Sequence, residues 1–330
     1  MSSLDKIHMP KVLLVTGARG FIGRQVAAQL AARGDYVHAL DAMTYAAGPP
    51  LATALPYPDP HFHWIEKDLN DLDRLPDVDA IINLAAETHV DNSLMDPSVF
   101  LRSNVMGMFR LLELARMKRN YQIPLVIQVS TDEVYGDYEV GYATPDAALR
   151  PSSPYSASKA AADLLVQAWG HSYGVPYRIV RPTNCYGRYQ YPEKLIPKSC
   201  RHLRLGWPIP LHGNGRQIRH WLAVEDAALG ILTVLDRGED GKVYHLGGNT
   251  EAPVFDVVRE IIYAYHGGAV REGGWQRFTQ YVEFNYSRAG IDSRYALDDS
   301  ETRALGWEDQ GKLWRDLPAL VEHYKNAALL

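Results

Sequence analysis

The chain contains 330 residues, of which 46% are hydrophobic and 22% are charged, and its formal net charge is −5 at pH 7. This composition is ordinary for a soluble globular protein. The sequence has no basic run and no long acidic tail, which argues against nucleic acid or a membrane surface as the main partner. No apolar run approaches the roughly 18 to 20 residues that span a bilayer. The two cysteines are too few for a disulfide framework and lack metal-ligand spacing, so we predict a cytoplasmic protein with free thiols and no metal site.

A glycine-rich turn follows the first predicted strand. Lys11–Thr16 is a short apolar run that predicts a buried strand, and residues 24–33 after the turn have helical periodicity. Between them lies the sequence Gly17-Ala-Arg-Gly20-Phe-Ile-Gly23. Strand, glycine turn and helix are the context of a dinucleotide-binding fingerprint, because glycine lets the backbone approach a pyrophosphate at the helix N-terminus. A plain connecting turn is the alternative for this segment taken alone.

Acidic residues follow the next two predicted strands. Asp41 stands at the end of the predicted strand Tyr36–Leu40. A carboxylate there can bind both ribose hydroxyls of an adenosine and would repel a 2′-phosphate, which favours NAD over NADP. Asp68 and Leu69 follow the third predicted strand, Phe62–Glu66, where they could contact the edge of an adenine.

Strands and helices alternate up to about residue 182. The further predicted strands are Ala80–Leu84, Leu125–Ser130 and Tyr177–Val180, and helical patterns separate them, notably Val99–Lys118 and Ser156–Ser172. This alternation predicts an α/β fold with a parallel, doubly wound Rossmann sheet over residues 11–182. Residues 1–10 are polar and lack the apolar core of a signal peptide, so we predict a flexible leader there.

After residue 182 prolines punctuate a series of shorter elements. Helices are predicted at Val224–Leu235 and Val254–Ala264, and a strand at Lys242–Leu246. We predict that residues 183–330 form mainly a smaller, mixed C-terminal substrate lobe, with elements from about residues 220–248 returning to the first domain. The cleft between lobe and sheet is the expected substrate site.

The fifth predicted strand ends in a cluster of polar side chains. Thr131, Asp132 and Glu133 follow directly after the apolar run that ends at Val129. Ligands of open α/β sheets bind at this carboxyl edge. A polar strand exit with a helix cap is the alternative for this cluster alone, so its interpretation depends on the glycine turn upstream and on a second motif downstream.

That second motif is Pro154-Tyr155-Ser-Ala-Ser-Lys159, which places Tyr155 and Lys159 on one face of a helix. A tyrosine hydroxyl with a pKa near 10 is a poor base at neutral pH. A neighbouring ammonium and a nicotinamide cation would stabilise the phenolate, which could then remove a hydroxyl proton as hydride leaves the carbon. For a lone pair of this spacing, an amphipathic helix with a snorkelling lysine is the alternative.

Together these motifs resemble the extended short-chain dehydrogenase/reductases and, within them, the dTDP-glucose 4,6-dehydratase family. The resemblance to that dehydratase family is carried by Thr131-Asp-Glu-Val-Tyr-Gly136, Thr44-Tyr-Ala, Glu87-Thr-His-Val-Asp91 and Tyr189-Gln-Tyr-Pro-Glu-Lys-Leu-Ile-Pro197. It runs from about Val12 to Asp298. The cofactor motifs are shared with epimerases, decarboxylases and reductases of nucleotide sugars, whereas Asp132 and Glu133 distinguish the dehydratases.

The resemblance implies an NAD-dependent reaction on a nucleotide-diphosphate hexose. Oxidation at C4 makes the C5 proton acidic, water is lost across C5 and C6, and hydride returns to C6. Tyr155 would be the C4 base with Lys159 supporting it, and Thr131 would bind the C4 oxygen. Glu133 would be the C5 base and Asp132 the C6 acid, because carboxyls in different surroundings can hold different protonation states.

The remaining predicted site residues are assigned by position within the matched motifs. Cofactor contacts are expected from Gly17, Gly20, Phe21, Ile22, Gly23, Asp41, Thr44, Asp68, Leu69, Ala85, Ala86, Asn104, Tyr155 and Lys159. Substrate contacts are expected from Thr88, Asn184, Glu193, Lys194, Arg219, Asn249 and Arg288.

Three residues depart from the family pattern. The family usually has an aspartate at His220, an arginine at Asn92 and a histidine at Ile291. These departures leave the base and the hexose of the substrate open. The alternatives to a dehydratase are a C4 epimerase or 4-keto reductase on a similar substrate, and a regulator that binds NAD without catalysis.

The family resemblance also implies a homodimer. The helical patterns Val99–Lys118 and Ser156–Ser172 carry apolar stripes that could pair with a second subunit as a four-helix bundle. Packing of both helices onto their own sheet is the alternative.

Overall fold

Twelve strands and a set of helices are seen in a computed structural model, which describes residues 9–48, 61–118, 122–267, 270, 272, 274–286 and 290–327. The strands are β1 (Val12–Thr16), β2 (Tyr36–Asp41), β3 (Phe62–Glu66), β4 (Ala80–Asn83), β5 (Leu125–Val129), β6 (Tyr177–Pro182), β7 (Asn184–Tyr186), β8 (Ile209–His212), β9 (Ile218–Ala223), β10 (Val243–Leu246), β11 (Thr250–Pro253) and β12 (Val282–Tyr286). Most of the predicted leader, residues 1–8, lies outside the described residues.

The α-helices are α1 (Phe21–Ala32), α2 (Val90–Met95), α3 (Pro97–Phe100), α4 (Gly107–Arg116), α5 (Pro154–Tyr173), α6 (Leu195–Leu205), α7 (Val224–Arg237), α8 (Val254–His266), α9 (Gly274–Phe278), α10 (Ser300–Ala304) and α11 (Leu313–Asn326). Short 3₁₀ helices span Leu69–Asp71, Asp132–Tyr135 and Thr279–Tyr281. None of the helices in the described ranges is long and apolar enough to cross a membrane.

A seven-stranded parallel sheet in the order β10-β6-β5-β4-β1-β2-β3 forms the centre of the protein. Successive side chains of a strand point to opposite faces, so Leu13 and Val15 enter one buried core and Leu14 enters the other. The strand order reverses between β1 and β4, and such a switch point opens a crevice at the carboxyl ends of the strands. The predicted α/β fold with a doubly wound parallel sheet is confirmed.

Helices cover both faces of this sheet. On one face α1 and α7 share a core that includes Val26, Leu30 and Ile231. On the other face α4 and α5 contribute Leu111 and Val166 to the second core. The return of α7 and β10 to this layer fixes the sheet edge beyond β6.

The C-terminal lobe contains two small sheets. One has the strand order β11-β9-β7 and the other pairs β12 with β8. Helices α6, α8 and α11 pack in a separate core that includes Cys200, Ile261 and Leu317. Because β7 follows β6 after a single residue, the lobe begins directly at the carboxyl edge of the parallel sheet.

The helix predicted over Val99–Lys118 is interrupted. Helix α3 ends at Phe100, a π-helical segment spans Leu101–Met106, and α4 follows. Asn104 in this segment turns its amide onto the backbone of Glu87, accepting from the N–H at 2.9 Å and donating to the carbonyl at 3.0 Å. Such π segments are common near functional sites, and hydrophobic periodicity does not reveal them.

Candidate active site

The glycine turn between β1 and α1 fits a dinucleotide for steric reasons. Gly17 has φ +66°, and a Cβ there would lie 2.7 Å from the backbone of Leu84 and Ala85. A Cβ on Gly23 would lie 2.1 Å from the carbonyl oxygen of Gly17. Gly20 precedes α1 without a capping side chain, so the first amides of the helix remain available to an anion.

Asp41 is fixed at the end of β2. Its two oxygens accept the backbone N–H groups of Arg19 and Met43, each at 2.8 Å. A carboxylate oxygen has a second lone pair, so the group held in this orientation can still accept ribose hydroxyls. The cavity beside Asp41 is lined by predicted cofactor residues, namely Gly17, Gly20, Thr44, Asp68, Leu69, Ala85 and Ala86.

A second cavity, of about 260 Å³, continues from the glycine turn to the end of β5. The predicted residues that line it are Gly17, Gly20, Phe21, Ile22, Gly23, Ala86, Thr88, Thr131, Asp132, Glu133, Tyr155, Lys159, Asn184, Glu193 and Lys194. One continuous cleft therefore contains the glycine turn, the polar end of β5 and the Tyr155–Lys159 pair.

Thr131 orients the two carboxyls that follow it. It is the N-cap of the 3₁₀ helix Asp132–Tyr135, and its Oγ1 accepts the N–H of Glu133 at 3.3 Å. The same hydroxyl donates to Oδ1 of Asp132 at 3.1 Å. The helix-cap interpretation of this segment is thus correct, and the capped residues also line the cleft.

Asp132 is buried, whereas Glu133 is partly exposed to the cleft. Burial raises the pKa of Asp132, and hydrogen bonds from Thr183 and Thr131 oppose the rise by stabilising the carboxylate. Thr183 Oγ1 lies 3.0 Å from Oδ2 of Asp132. Asp132 is therefore the better proton donor of the pair, because burial favours its neutral form.

Tyr155 and Lys159 lie on the first turns of α5. The helix starts in a capping box in which Ser153 and Ser156 satisfy each other's backbone N–H groups. Lys159 Nζ donates to the carbonyl of Val129 at 2.7 Å. Burial lowers the pKa of Lys159 to about 8, with Asp163 opposing this shift.

The pKa of Tyr155 is raised, first by burial and then by the negative charge of Glu133, while a hydrogen bond with Thr131 lowers it. The phenol is therefore protonated at neutral pH unless a positive charge approaches it. Lys159 and a nicotinamide ring are the cations that the cleft could bring to this hydroxyl.

At the mouth of the cleft, a polar cluster joins the lobe to the Rossmann domain. Tyr45 Oη donates to Oε2 of Glu193 at 3.1 Å and accepts from Asn92 Nδ2 at 3.2 Å. Lys194 Nζ donates to the carbonyl of Thr88 at 2.9 Å. Three predicted substrate residues, Thr88, Glu193 and Lys194, are thus brought together.

Asn184 also faces this region. It lines the cleft, and its buried Oδ1 has no hydrogen-bond partner in the described part of the chain. A buried carbonyl oxygen without a donor is unfavourable, so Asn184 fits a ligand that carries a hydroxyl.

Three of the predicted site residues that the structure describes do not line the cleft. Arg219 lies with Cζ 4.3 Å from the ring centroid of Tyr295 and donates to backbone carbonyls of the lobe. The side chain of Asn249 donates to the carbonyl of Gly311. Asn104 bonds to Glu87 as described above. Arg288 lies outside the described residues.

Thr183 is a site residue that the sequence analysis missed. It lies between β6 and β7, and its hydroxyl contacts Asp132. The rule that applied to β5 could have identified it, since Thr183 stands directly after the neighbouring parallel strand. Asp163 and Arg181 were also missed; they form a buried ion pair at 2.9 Å behind Lys159, and no local pattern marks them.

Comparison with known proteins identifies the family. Residues 13–247 match the family described as "NAD dependent epimerase/dehydratase family". The low-salt glycan biosynthesis protein Agl12 of Haloferax volcanii is 38% identical, over 94% of this chain and 98% of its own. The dTDP-glucose 4,6-dehydratase of Streptomyces griseus is 42% identical, over 94% of this chain and 93% of its own.

A solved structure extends the similarity to three dimensions. DesIV, a dTDP-glucose 4,6-dehydratase from Streptomyces venezuelae solved with NAD bound, has a TM-score of 0.86 and 37% identity, covering 95% of this chain and 96% of its own. The family and the NAD dependence predicted from the sequence are confirmed. The chain belongs to the NAD dependent epimerase/dehydratase family.

Proposed function

We propose that the protein is an NAD-dependent nucleotide-sugar 4,6-dehydratase. It converts a nucleotide-diphosphate hexose, dTDP-glucose or a close relative, to the 4-keto-6-deoxyhexose and water. The observation that carries this proposal is the adjacent pair Asp132 and Glu133, which lines the same cleft as Tyr155 and Lys159 and presents one buried and one partly exposed carboxyl.

Tyr155 removes the proton of the C4 hydroxyl. NAD, when bound, takes up the hydride from C4 and returns it to C6, so no net oxidant is consumed. Lys159 follows Tyr155 by one helical turn on the same face of α5, and its ammonium would favour deprotonation of the phenol. Thr131 hydrogen-bonds with Tyr155 and lies where it can bind the same C4 oxygen.

The loss of water requires a base at C5 and an acid at C6. Glu133, as a carboxylate, takes the C5 proton that the C4 carbonyl acidifies. Asp132, as a neutral carboxyl, donates its proton to the C6 hydroxyl as the C6–O bond breaks, and water leaves. The C5–C6 alkene then accepts hydride at C6 and, from Glu133, a proton at C5, which restores the Glu133 carboxylate. Asp132 regains a proton from solvent and Tyr155 releases the C4 proton to solvent, so each turnover releases only water.

We assign substrate binding to the polar cluster at the mouth of the cleft. Lys194 offers an ammonium to the sugar diphosphate, and Thr88, Asn184 and Glu193 offer polar groups to the sugar. The resemblance adds Arg219, Asn249 and Arg288 to this set. Burial raises the pKa of Asp132 and the charge of Arg219 acts to lower it, which supports a position of this guanidinium near the carboxyl pair.

A panel of sugar nucleotides tests the proposed function. Protein purified without added NAD is incubated with dTDP-glucose, UDP-glucose and related hexoses, and the keto product is detected by its alkali-sensitive chromophore. At least one member should yield this product. An epimer with its C6 hydroxyl intact, or net consumption of reduced cofactor, would instead establish an epimerase or a reductase.

We further propose that the protein is a homodimer located in the cytoplasm. Large apolar side chains are exposed on the face formed by α2 to α5, namely Leu94, Met95, Val99, Leu101, Met106, Phe109, Leu164 and Tyr173. An apolar face of this extent suits a second copy of the chain. Both cysteines are free thiols, which fits a reducing compartment.

A further inference from the structure

The first turns of α1 contain a buried arginine whose two terminal nitrogens have no hydrogen-bond partner in the described part of the chain. Arg24 is 3% exposed, and neither Nη1 nor Nη2 has a partner among the described residues. Burial lowers the pKa of Arg24, and the next strongest influences come from Tyr189 and the cationic Arg19, not from a carboxylate. A buried guanidinium in such surroundings is unfavourable unless an anion reaches it.

This guanidinium lies beside the glycine turn. Helical side chains lean toward the N-terminus of their helix, and a Cβ on Gly48 would lie 2.9 Å from Nη1 of Arg24. Gly48 is hydrogen-bonded to the turn. Its N–H donates to the carbonyl of Arg19 at 2.8 Å, and its carbonyl accepts a hydrogen bond from Arg19 Nη2 at 2.7 Å. Arg24 is therefore buried behind the cavity wall that contains Gly20, Gly23 and Tyr189, and its backbone lies within one helical turn of the first amides of α1, where a diphosphate binds best.

Tyr189 covers the guanidinium from the side of the lobe. Its ring centroid is 4.3 Å from Cζ of Arg24, within cation–π range. Tyr189 also lines the cleft together with the glycine turn. Its φ of +68° lies in the left-handed region, which is strained for a residue with a large side chain.

The C-terminal helix holds Tyr189 in this conformation. Tyr324 Oη donates to the carbonyl of Gly187 at 2.7 Å and accepts the N–H of Gln190 at 2.8 Å, so both flanks of Tyr189 are fixed. The ring of His323 meets the ring of Tyr189 edge-on at 5.3 Å. Residues that their surroundings hold in a strained conformation are found mainly at ligand clamps and active sites.

We propose that Arg24 is the counter-cation of the NAD diphosphate and that Tyr189 holds it against the N-terminus of α1, so that the pair slows release of the cofactor. The inference rests on the NAD site of the proposed function. The start of α1 offers backbone amides and a helix dipole, and the charges of Arg24 and Arg19 near it are close enough to act on each other. A bound diphosphate would in turn give Arg24 the counter-charge that it lacks.

The substitution Arg24→Met tests this proposal, since it removes the charge and keeps an unbranched side chain. Protein purified without added NAD is assayed for NAD per chain, and the rate of NAD release is followed by exchange against labelled NAD. We expect substoichiometric NAD in the variant and release about 10- to 100-fold faster than in the wild type. A release rate equal to that of the wild type would overturn the proposal.

Two further variants separate this role from a merely structural one. Tyr189→Leu keeps an apolar cover but removes the aromatic ring, so it should accelerate release less than Arg24→Met does, and the double variant should add little to Arg24→Met. Arg259→Met removes another guanidinium, whose Cζ is 5.9 Å from the ring centroid of Phe255 in α8, and should leave NAD release unchanged.

Should Arg24→Met fail to fold, Arg24→Lys and Arg24→Gln provide the comparison. The lysine variant, which keeps a positive charge, should retain NAD better than the glutamine variant, and equal release from both would contradict the assigned charge role. If the wild type itself contained no NAD, the NAD site of the proposed function would be contradicted. If the wild type retained NAD and the Arg24 variants released it at the same rate, only the role of Arg24 would be contradicted.

Discussion

At the carboxyl end of β5, two adjacent carboxyl groups meet different surroundings. Asp132 is buried and accepts hydrogen bonds from the hydroxyls of Thr131 and Thr183, whereas Glu133 is partly exposed to the cleft. Burial raises the pKa of Asp132 and so favours the proton that an acid must hold. The proposed division into one acid and one base thus rests on the different surroundings of the two side chains, since their chemistry is the same.

Lys159 predicts the pH dependence of the reaction. Its pKa is lowered by burial to about 8, so its ammonium is present below that pH and is lost as the pH rises through it. Because the ammonium supports the Tyr155 phenolate, kcat should decline above about pH 8. In Lys159→Arg the charge persists to much higher pH, so this decline should disappear even if kcat is lower.

The control for that experiment is the fold and cofactor content of Lys159→Arg, measured by thermal unfolding and by NAD per chain. A variant that retains NAD and still loses activity near pH 8, with the same midpoint as the wild type, would assign the decline to another group.

At the scale of elements, the glycine turn offers a contrast between two neighbouring positions. A Cβ on Gly23 would lie 2.1 Å from the carbonyl oxygen of Gly17, which is a backbone atom and cannot move aside as the end of a side chain can. A Cβ on Gly20 would meet only that oxygen, at 3.1 Å. Gly23→Ala should therefore lower the free energy of unfolding by about 1 to 3 kcal/mol, as overpacking commonly does.

Gly20→Ala should leave stability close to that of the wild type but reduce bound NAD, because Gly20 lines the cleft. Urea unfolding and NAD per purified chain measure the two effects separately. Equal stability of the two variants would show that the close approach of α1 to β1 is not what requires Gly23.

A buried ion pair joins α5 to β6 behind Lys159. Arg181 Nη2 lies 2.9 Å from Oδ2 of Asp163, and both side chains are almost completely enclosed. Arg181→Met would leave the buried Asp163 carboxylate without its counter-charge, so it should lower the free energy of unfolding by about 3 to 5 kcal/mol. Urea unfolding measures this loss.

The exposed pair Lys242–Glu239, at 3.1 Å, is the control for Arg181→Met. Lys242→Met should leave the urea midpoint unchanged because solvent already screens this pair. A midpoint for Arg181→Met equal to that of Lys242→Met would mean that the Asp163 carboxyl is neutral in the folded protein.

The elements that could be predicted from the sequence are those specified locally. The strands before Gly17 and before Thr131 were recognisable because β-branched apolar runs end there at glycine or polar residues. The π segment Leu101–Met106 was not, since it has no local sequence signal; its Asn104 bonds to Glu87, which lies 17 residues away along the chain. The strands of the lobe likewise depend on partners far away along the chain.

At the scale of the whole molecule, the cleft unites residues that motif reasoning could place and residues that it could not. Thr131, Tyr155 and Gly17 belong to short motifs with defined geometry. Arg219 and Asn249 were assigned by resemblance alone. Their side chains contact the lobe and the C-terminal segment, and their contact with substrate stays a prediction. Such contacts are set by how the lobe packs, which spacing along the sequence does not encode.

The apolar face of α2 to α5 predicts the oligomeric state. Leu164 on α5 is 55% exposed, and a charge there should oppose pairing of two apolar faces. Leu164→Glu should shift sedimentation from dimer to monomer at a concentration where the wild type is a dimer. Leu229→Glu on α7, where the leucine is 45% exposed, should not shift it; a monomeric wild type would refute the dimer.

Separate roles for Asp132 and Glu133 are tested most directly by proton NMR of the sugar in D₂O. The wild type should form the C6 methyl product with solvent deuterium at C5. Asp132→Asn, with Glu133 intact, should exchange the C5 proton while forming the methyl product about 10²- to 10⁴-fold more slowly, and Glu133→Gln should do neither. Methyl product at the wild-type rate from both variants would contradict the assignment of dehydration to this pair.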